Sequence, residues 1–162
     1  MGLDLRVGVL TCSDTRAAGD AEDTAGKELM RLCEERGWLV AAYHVCPDDA
    51  ERIHDLLVEM SDSHHVDVIL TCGGTGFGPR DVTPEATERV IEKRTPGVAE
   101  AIRLESLKIT GRAMLSRGTA GIRDSTLIIN LPGSRKAASE SFGFVADQLE
   151  HAVEMMAGGG HS

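Results

Sequence analysis

The chain has 162 residues, of which 41% are hydrophobic and 27% charged, and its formal net charge is −9. A chain of this length is typical of one domain with its own core, and its acidity argues against broad nucleic-acid binding, which needs a basic face. No apolar run approaches the ~20 residues of a membrane span, and residues 1–6 lack the pattern of a secretory signal. We expect a cytoplasmic protein with one domain over residues 1–157 and a flexible tail over residues 158–162.

Apolar runs alternate with amphipathic stretches along the chain. The predicted strands cover 5–11, 38–45, 66–71 and 126–130. The predicted helices cover 24–36, a segment opened by 47–49, 83 to about 94 with Thr83 as its N-cap, 98–108, and one that follows 131–134. Because the strands are apolar on both faces, this order predicts an α/β fold of three layers, a mostly parallel sheet with helices on both faces.

Ligands of such sheets bind beyond the carboxyl ends of the strands. Three polar or glycine-rich segments are predicted there, at residues 12–14, 71–78 and 131–134. The middle segment carries four glycines in six residues, which lets a backbone approach a phosphate closely and turn its N–H groups toward it. It matches neither common nucleotide motif, because Pro79 stands where a third glycine is needed and Gly78 is not followed by Lys.

Two carboxylates, Asp48 and Asp81, are predicted beside this loop. Each has two interpretations: a helix cap, which the residues alone favour for Asp48, or a ligand of Mg²⁺, which typically binds one or two carboxylates together with phosphate oxygens. Both residues lie at the start of segments that follow strands, and this shared position favours the Mg²⁺-ligand interpretation for both.

Other polar residues of these loops also keep two interpretations. Arg80 and Lys136 either bind phosphate or lie solvated on the surface. Ser13 and Asp14 either bind a ligand or cap a turn, and the turn is favoured by the residues alone. His64 and its neighbour His65 form either a metal pair or a solvated loop, with the loop favoured.

The four cysteines contain no C-x-x-C pair, so neither a zinc ribbon nor a thioredoxin-type site is predicted. Reduced thiols of a cytoplasmic protein are the simplest interpretation. Cys12 and Cys72 are expected to be small buried side chains without a catalytic role.

Taken together, these motifs resemble the molybdopterin adenylyltransferase (MogA/MoaB) family of molybdenum cofactor biosynthesis, from Val7 to the last helix. The segments that carry the resemblance are Ser13-Asp14, Pro47-Asp48, Gly73-Gly74-Thr75-Gly76, Arg80-Asp81-Val82-Thr83-Pro84-Glu85-Ala86-Thr87, Ser116-Arg117, Gly121-Ile122 and Leu131-Pro132-Gly133-Ser134. Some related chains lose the match at residues 80–83, whereas this chain keeps it. Cys72 and Arg135 depart from the residues common in the family.

The resemblance implies transfer of AMP from Mg-ATP to the terminal phosphate of molybdopterin, with release of pyrophosphate. It implies that Asp48 and Asp81 act as catalytic residues that hold Mg²⁺, and that residues 73–76 cradle phosphate or nucleotide. It further implies pocket-lining or ligand-binding roles, which fall on Ser13, Asp14, Gly73, Gly74, Thr75, Gly76, Arg80, Ser116, Pro132, Gly133, Ser134 and Lys136.

The resemblance also implies a homotrimer, with a hexamer as the alternative, and delivery of the product to a molybdate-insertion protein. Related domains occur in larger proteins with non-enzymatic roles. A non-catalytic carrier or scaffold that binds molybdopterin or nucleotide is therefore the alternative function.

Overall fold

The structure, a computed structural model, describes residues 4–159. Its strands are β1 (Arg6–Cys12), β2 (Leu39–Cys46), β3 (Val68–Cys72), β4 (Lys93–Arg94), β5 (Ala120–Arg123) and β6 (Thr126–Leu131). Its α-helices are α1 (Asp14–Ala17), α2 (Thr24–Glu35), α3 (Ala50–Asp62), α4 (Thr83–Val90), α5 (Pro96–Leu107) and α6 (Arg135–Met156), and a 3₁₀ helix covers Gly111–Leu115. Within residues 4–159, no helix has the length and hydropathy needed to cross a bilayer.

The strands of residues 4–159 form one sheet in the order β2-β1-β3-β6-β5-β4. The first four strands are parallel, whereas β5 and β4 add an antiparallel edge. Successive side chains of the central strands point to opposite faces, so a parallel strand that is apolar throughout can contribute to two cores. The predicted α/β fold with a mostly parallel sheet is confirmed.

Two hydrophobic clusters lie on opposite faces of the sheet. On one face Leu70 of β3 and Ile129 of β6 belong to the cluster that includes Leu29 of α2 and Phe142 of α6. On the other face the neighbouring strand residues, Ile69 and Ile128, belong to the cluster of α3 and α4. This alternation produces the three predicted layers, and burial of these side chains drives their assembly.

The prediction for residues 83–94 is wrong at both ends. The helix has Val82 at its N-cap without a side-chain cap bond, so Thr83 is the first helical residue rather than the cap. The helix ends at Val90, and Lys93–Arg94 pair with β5 as an antiparallel strand. The predicted strand over 126–130 is in turn the second arm of a hairpin, in which Asp124 turns the chain with φ 50°.

Other boundaries follow from local hydrogen bonds. Residues 14–17, predicted as loop, form one helical turn, because the side chain of Ser13 accepts the N–H of Arg16. At the other end of the chain, Gly158 and Gly159 donate their N–H groups to carbonyls of the last turn of α6. Residues 160–162 of the predicted flexible tail lie outside the described residues.

The side chain of Asn130 joins the two halves of the sheet to α4. It is 4% exposed, and its amide donates to the hydroxyls of Thr71 in β3 and Thr87 in α4, at 3.0 Å each. Its oxygen accepts the N–H of Thr119, just before β5. Since a buried polar group left unpaired costs ~1–3 kcal/mol, this network holds the parallel and antiparallel parts in one register beside the strand ends.

Gly121 shows how closely β5 packs on its neighbours. A Cβ at this position would lie 2.8 Å from the carbonyl oxygen of Lys93 and 2.6 Å from the Ile91 side chain. We expect Gly121→Ala to lower the free energy of unfolding by about 1–3 kcal/mol through overpacking. Gly143→Ala is the matched control: it lies in α6, where a Cβ would meet nothing within 4 Å, and it should stabilise the helix by about 0.5–1 kcal/mol. Urea denaturation measures both, and equal effects of the two variants would contradict this packing.

Candidate functional site

The carboxyl ends of β1, β2, β3 and β6 lie side by side, and the three predicted ligand loops follow three of these strands. These strands end at Cys12, Cys46, Cys72 and Leu131. Segments 13–14, 73–76 and 132–134 each begin one residue later, so the sheet gathers residues that are more than a hundred positions apart in the chain. This is the edge at which parallel sheets bind ligands.

The loops at this edge touch through glycines. A Cβ at Gly73, which has φ 101°, would lie 2.3 Å from the carbonyl oxygen of Cys12. A Cβ at Gly133 would lie 3.2 Å from Cα of Gly73, and the guanidinium of Arg16 donates to the carbonyl oxygen of Gly133 at 2.9 Å. The loops that follow β1, β3 and β6 therefore pack against one another, and larger side chains at Gly73 and Gly133 would have no room.

Asp14 and Asp48 bind each other's backbone. The N–H of Asp14 donates to Oδ2 of Asp48 at 3.0 Å, and the N–H of Asp48 donates to Oδ1 of Asp14 at 2.9 Å. Arg80 forms two further bonds to the carboxylate of Asp14, both of 3.0 Å. The Arg80 guanidinium and then the Asp48 N–H hold the pKa of Asp14 below its ordinary value, so this carboxylate stays ionised.

Asp48 has one oxygen without a protein partner. Among the described residues its buried Oδ1 and the buried Oγ1 of Thr83 accept or donate no hydrogen bond. Burial raises the pKa of Asp48, and the negative charges of Asp14 and Asp81 raise it further. The helix-cap interpretation of Asp48 is wrong, because its neighbour Asp49 caps α3 by accepting the N–H groups of residues 51 and 52.

The glycine loop runs directly over these groups. Gly74 has φ 70°, and a Cβ there would lie 2.2 Å from Oγ1 of Thr83 and 3.3 Å from Oδ1 of Asp48. Gly74 thus keeps open the space that both unpartnered oxygens face. No L-residue fits without displacing this arrangement, and the positive φ adds strain for any side chain.

The carboxylate of Asp81 lies beneath the next two glycines of the loop. Its Oδ2 accepts the N–H of Gly78 at 2.8 Å, and a Cβ at Gly76 or at Gly78 would come within 2.9 Å of the same oxygen. The N-cap of α4 is Val82, so Asp81 is not a helix cap. The loop and the carboxylate instead hold each other in place.

Arg117 and Thr83 fix the direction of three successive peptide groups in the loop. The N–H of Thr83 binds the carbonyl of Gly74, the N–H of Arg117 binds that of Thr75, and Nε of Arg117 binds that of Gly76 at 2.7 Å. In a trans peptide the N–H points away from its own carbonyl. The N–H groups of Thr75, Gly76 and Phe77 therefore point away from these partners, as a cradle for an anion requires.

These residues fit a hard divalent cation. Asp48 Oδ1 and Thr83 Oγ1 are oxygen atoms without a protein partner, they face a space that Gly74 keeps free, and the carboxylate of Asp81 lies close enough to raise the pKa of Asp48. Mg²⁺ prefers oxygen ligands of this kind and completes its shell with water or phosphate oxygens.

A cavity of about 480 Å³ adjoins the glycine loop on the side of α5. Thr75 and Gly76 form its shared wall, and Ser116 and Pro132 of the predicted site also line it. The rest of its wall is mainly apolar and includes Phe77, Ile109 and Leu115, with polar groups from Arg103, Arg112 and Asn130. Such a lining is usual for a pocket that binds an organic ligand.

Three further predicted site residues, Ser13, Ser134 and Lys136, do not line this cavity. Ser134 caps α6 by accepting the N–H of Ala137 at 3.2 Å. Lys136 is exposed and forms an ion pair with Glu140, which lines the cavity. Ser13 caps α1, in agreement with the turn that its residue type favours.

The residue pattern alone does not single out four further candidates of the site: Thr83, Arg117, Arg103 and Arg112. The residues alone predict Thr83 as a helix cap, and Thr83 and Arg117 otherwise appear only within segments that carry the resemblance. Arg103 of α5 donates to the carbonyls of Ser116 and Gly118, so it fixes the turn at the cavity wall. Its single charge on an amphipathic helix carried no signal that could have predicted this contact.

The chain is similar to proteins of molybdenum cofactor biosynthesis. A family model described as a probable molybdopterin binding domain matches residues 8–151. The chain is 39% identical over 156 residues to a molybdopterin adenylyltransferase of Helicobacter pylori, with 95% of this chain and 89% of the relative covered. It is 45% identical over 150 residues to the molybdenum cofactor synthesis protein cinnamon of Drosophila melanogaster, covering 92% of this chain and 25% of that protein.

Solved structures agree. The fold matches the molybdopterin biosynthesis enzyme MoaB of Thermus thermophilus with a TM-score of 0.90 and 44% identity, over 95% of this chain and 97% of the other. It matches a structure of MogA with a TM-score of 0.88 and 36% identity, over 93% and 99% of the two chains. The chain thus spans a quarter of cinnamon and 89% of the Helicobacter pylori relative, and it belongs to the molybdopterin adenylyltransferase family of molybdenum cofactor biosynthesis.

Proposed function

We propose that the protein adenylylates molybdopterin, using Mg-ATP and releasing pyrophosphate. An oxygen of the terminal phosphate of molybdopterin attacks the α-phosphorus of ATP. The bond between that phosphorus and the oxygen bridging to the β-phosphate breaks, and pyrophosphate leaves with the bonding electrons. The observation that carries the proposal is the unpartnered Oδ1 of Asp48 beneath the glycine loop.

In this proposal Asp48 and Asp81 hold Mg²⁺, which would neutralise phosphate charge and polarise the phosphorus–oxygen bond. The N–H groups of residues 75–77 bind a phosphate through the direction that Arg117 and Thr83 impose on the loop. Transfer of this kind needs mainly positioning and charge neutralisation, and no nucleophilic side chain. The apolar cavity beside Phe77 takes a ring system of one substrate, with its phosphates directed toward the loop.

Arg80 has two roles in the proposed reaction. It neutralises Asp14 through two hydrogen bonds and is itself exposed. A guanidinium that already binds one carboxylate still has N–H groups free for a phosphate oxygen. Arg80 therefore keeps Asp14 from adding repulsion at the site and can contact an incoming phosphate at the same time.

The proposal extends to assembly and location. A homotrimer, with a hexamer as the alternative, is supported by exposed apolar side chains on α5 and the 3₁₀ helix, Leu104, Leu107 and Met114, because exposed apolar patches mark association surfaces. A cytoplasmic location is supported by the four free cysteines. The product would pass to a molybdate-insertion protein.

Replacement of either metal-binding carboxylate tests the chemistry. Asp48→Asn and Asp81→Asn should each lower turnover about 100-fold or more, because the lost charge acts mainly in the transition state. Pyrophosphate release and the mass of adenylylated molybdopterin, measured with molybdopterin, ATP and Mg²⁺, report the activity.

Asp49→Asn is the matched control for these variants. Asp49 is adjacent to Asp48 but caps α3, and asparagine caps helices about as well as aspartate. It should keep turnover within about twofold of wild type. Equal activity of the Asp48 and Asp49 variants would refute the metal-binding role. A wild-type protein that binds both substrates and makes no product would belong to the carrier or scaffold class.

The Asp48 variant should also fold well. Burial raises the pKa of Asp48. A carboxyl group with a raised folded-state pKa favours the folded state while protonated, and that contribution is lost as pH rises through the folded pKa. Without metal, Asp48→Asn should therefore exceed wild type in stability at about pH 8, and the difference should shrink below about pH 4, near the ordinary pKa of aspartate. Urea denaturation in a chelator measures this, and a less stable variant at the higher pH would contradict it.

Gly74 tests the cradle itself. Gly74→Ala places a methyl group against Thr83 Oγ1 and Asp48 Oδ1, so nucleotide affinity should fall at least about tenfold. Gly37→Ala carries the same positive-φ strain at 81°, but its Cβ would meet nothing within 4 Å. Calorimetric titration with ATP and Mg²⁺ should leave the Gly37 variant unchanged. The same affinity for both variants would show that the loop does not bind the nucleotide.

A further inference from the structure

A second group of metal-ligating side chains lies away from the strand ends. His44 of β2, Glu59 of α3 and His64, just after α3, offer ligand atoms that all lie within 4.8 Å of one another. Nε2 of His44 and Nε2 of His64 are each 3.7 Å from the same oxygen, Oε2 of Glu59. None of the three takes part in the glycine-loop site.

The position of His44 in its strand is unusual. β2 is the parallel edge strand of the sheet. The residues two before and two after His44 on the same face, Ala42 and Cys46, pack in the apolar cluster beneath α3. His44 therefore interrupts an apolar row on the face that α3 covers. Its side chain is 36% exposed, so it reaches the margin of the helix, where Glu59 lies.

The backbone holds the other two ligands at a fixed separation. The N–H groups of Ser63 and His64 both donate to the carbonyl of Glu59, at 2.9 and 3.1 Å. The carbonyl of His64 in turn accepts from the guanidinium of Arg6 at 3.1 Å. His65 then reverses the chain with φ 52°, a conformation rare outside glycine. His64 is thereby directed back toward the helix end, while His65 is not part of the cluster.

The donor set selects the class of ion. Two imidazole nitrogens and one carboxylate suit Zn²⁺ and neighbouring transition metals, whereas Mg²⁺ and Ca²⁺ prefer oxygen alone. Tetrahedral Zn²⁺ with bonds of about 2.1 Å places its ligand atoms roughly 3.4 Å apart. The observed 3.7 Å between each nitrogen and the shared oxygen needs a contraction of only a few tenths of an ångström. The partial negative charge at the C-terminus of α3 also favours a cation there.

We propose that His44, Glu59 and His64 form a site for Zn²⁺ that joins the C-terminus of α3 to the edge strand β2. Three protein ligands leave a coordination position for water or for a ligand from outside the chain, as in open zinc sites. The site is separate from the proposed Mg²⁺ site in both location and ligand chemistry. It would stabilise the sheet edge on which Asp48 depends, since β2 leads directly to that residue.

Calorimetric titration of the chelator-treated full chain with Zn²⁺ tests this, in the presence of excess Mg²⁺ to occupy oxygen-rich sites. We expect one Zn²⁺ per chain. His44→Ala and His64→Ala, and Glu59→Gln, should each weaken binding at least about tenfold, which corresponds to the loss of one ligand. His54→Ala is the control, because His54 lies on the same helix and contacts Asp55 instead; its Zn²⁺ affinity should equal that of wild type.

Thermal unfolding provides a second readout. Zn²⁺ should raise the Tm of wild type and of His54→Ala, because a ligand of the folded state stabilises it, and should raise the Tm of His44→Ala by clearly less at the same Zn²⁺ concentration. The proposal fails if wild type binds no stoichiometric Zn²⁺, or if the three ligand variants bind it as tightly as wild type. Zn²⁺ binding that is kept in the variants of His44 and His64 but lost in His54→Ala would place the metal at the second cluster, Glu51, His54 and Asp55. That outcome would also overturn the proposal.

Discussion

The close contact between loops at the carboxyl ends of the parallel strands is the constraint on which the candidate site depends. Gly73 lies against the backbone of Cys12, and Gly133 lies against Gly73, so the three loops can meet only if these positions carry no side chain. This packing places Gly74 above the buried oxygens of Asp48 and Thr83. The fold thereby keeps a polar space open inside an otherwise close-packed structure, at a cost in stability that a bound cation would offset.

Charge is the second constraint, because an acidic chain with net charge −9 must accept anionic substrates. Arginine side chains beside the glycine loop balance part of this negative charge. Arg80 neutralises Asp14, and Arg117 binds the carbonyl of Gly76 while it pairs with Glu85. The positive groups thus organise carboxylates and carbonyls around the loop, and the loop N–H groups of residues 75–77 point away from Arg117 and Thr83. In the proposed function, phosphate binding would therefore depend on backbone direction and on metal more than on exposed lysine or arginine.

The hydrophobic pattern of the sequence predicts much of the fold. The apolar strands predicted the parallel sheet, and helices on both faces follow from strands that are buried on both sides. The antiparallel edge escaped prediction, because residues 91–94 continue a helical pattern and are extended only through pairing with β5. The three loops predicted at the carboxyl ends of the strands lie there in the structure, whereas the residues alone favour a helix cap for Asp48 and the structure assigns that cap to Asp49. Contacts of Arg103, Arg117 and His44 connect distant segments, which a single sequence does not encode locally.

The proposed function depends on the binding of one divalent cation by Asp48 and Asp81 beneath the glycine loop. Anomalous diffraction from crystals grown with Mn²⁺ and ATP tests it most directly, because Mn²⁺ replaces Mg²⁺ at oxygen sites and can be located independently of the protein. We expect one anomalous peak within about 2.2 Å of Oδ1 of Asp48, next to the carboxylate of Asp81 and to phosphate oxygens of the nucleotide. A nucleotide bound in the loop with no metal ion at Asp48 would contradict the proposed site, whatever other metal sites the crystal contains.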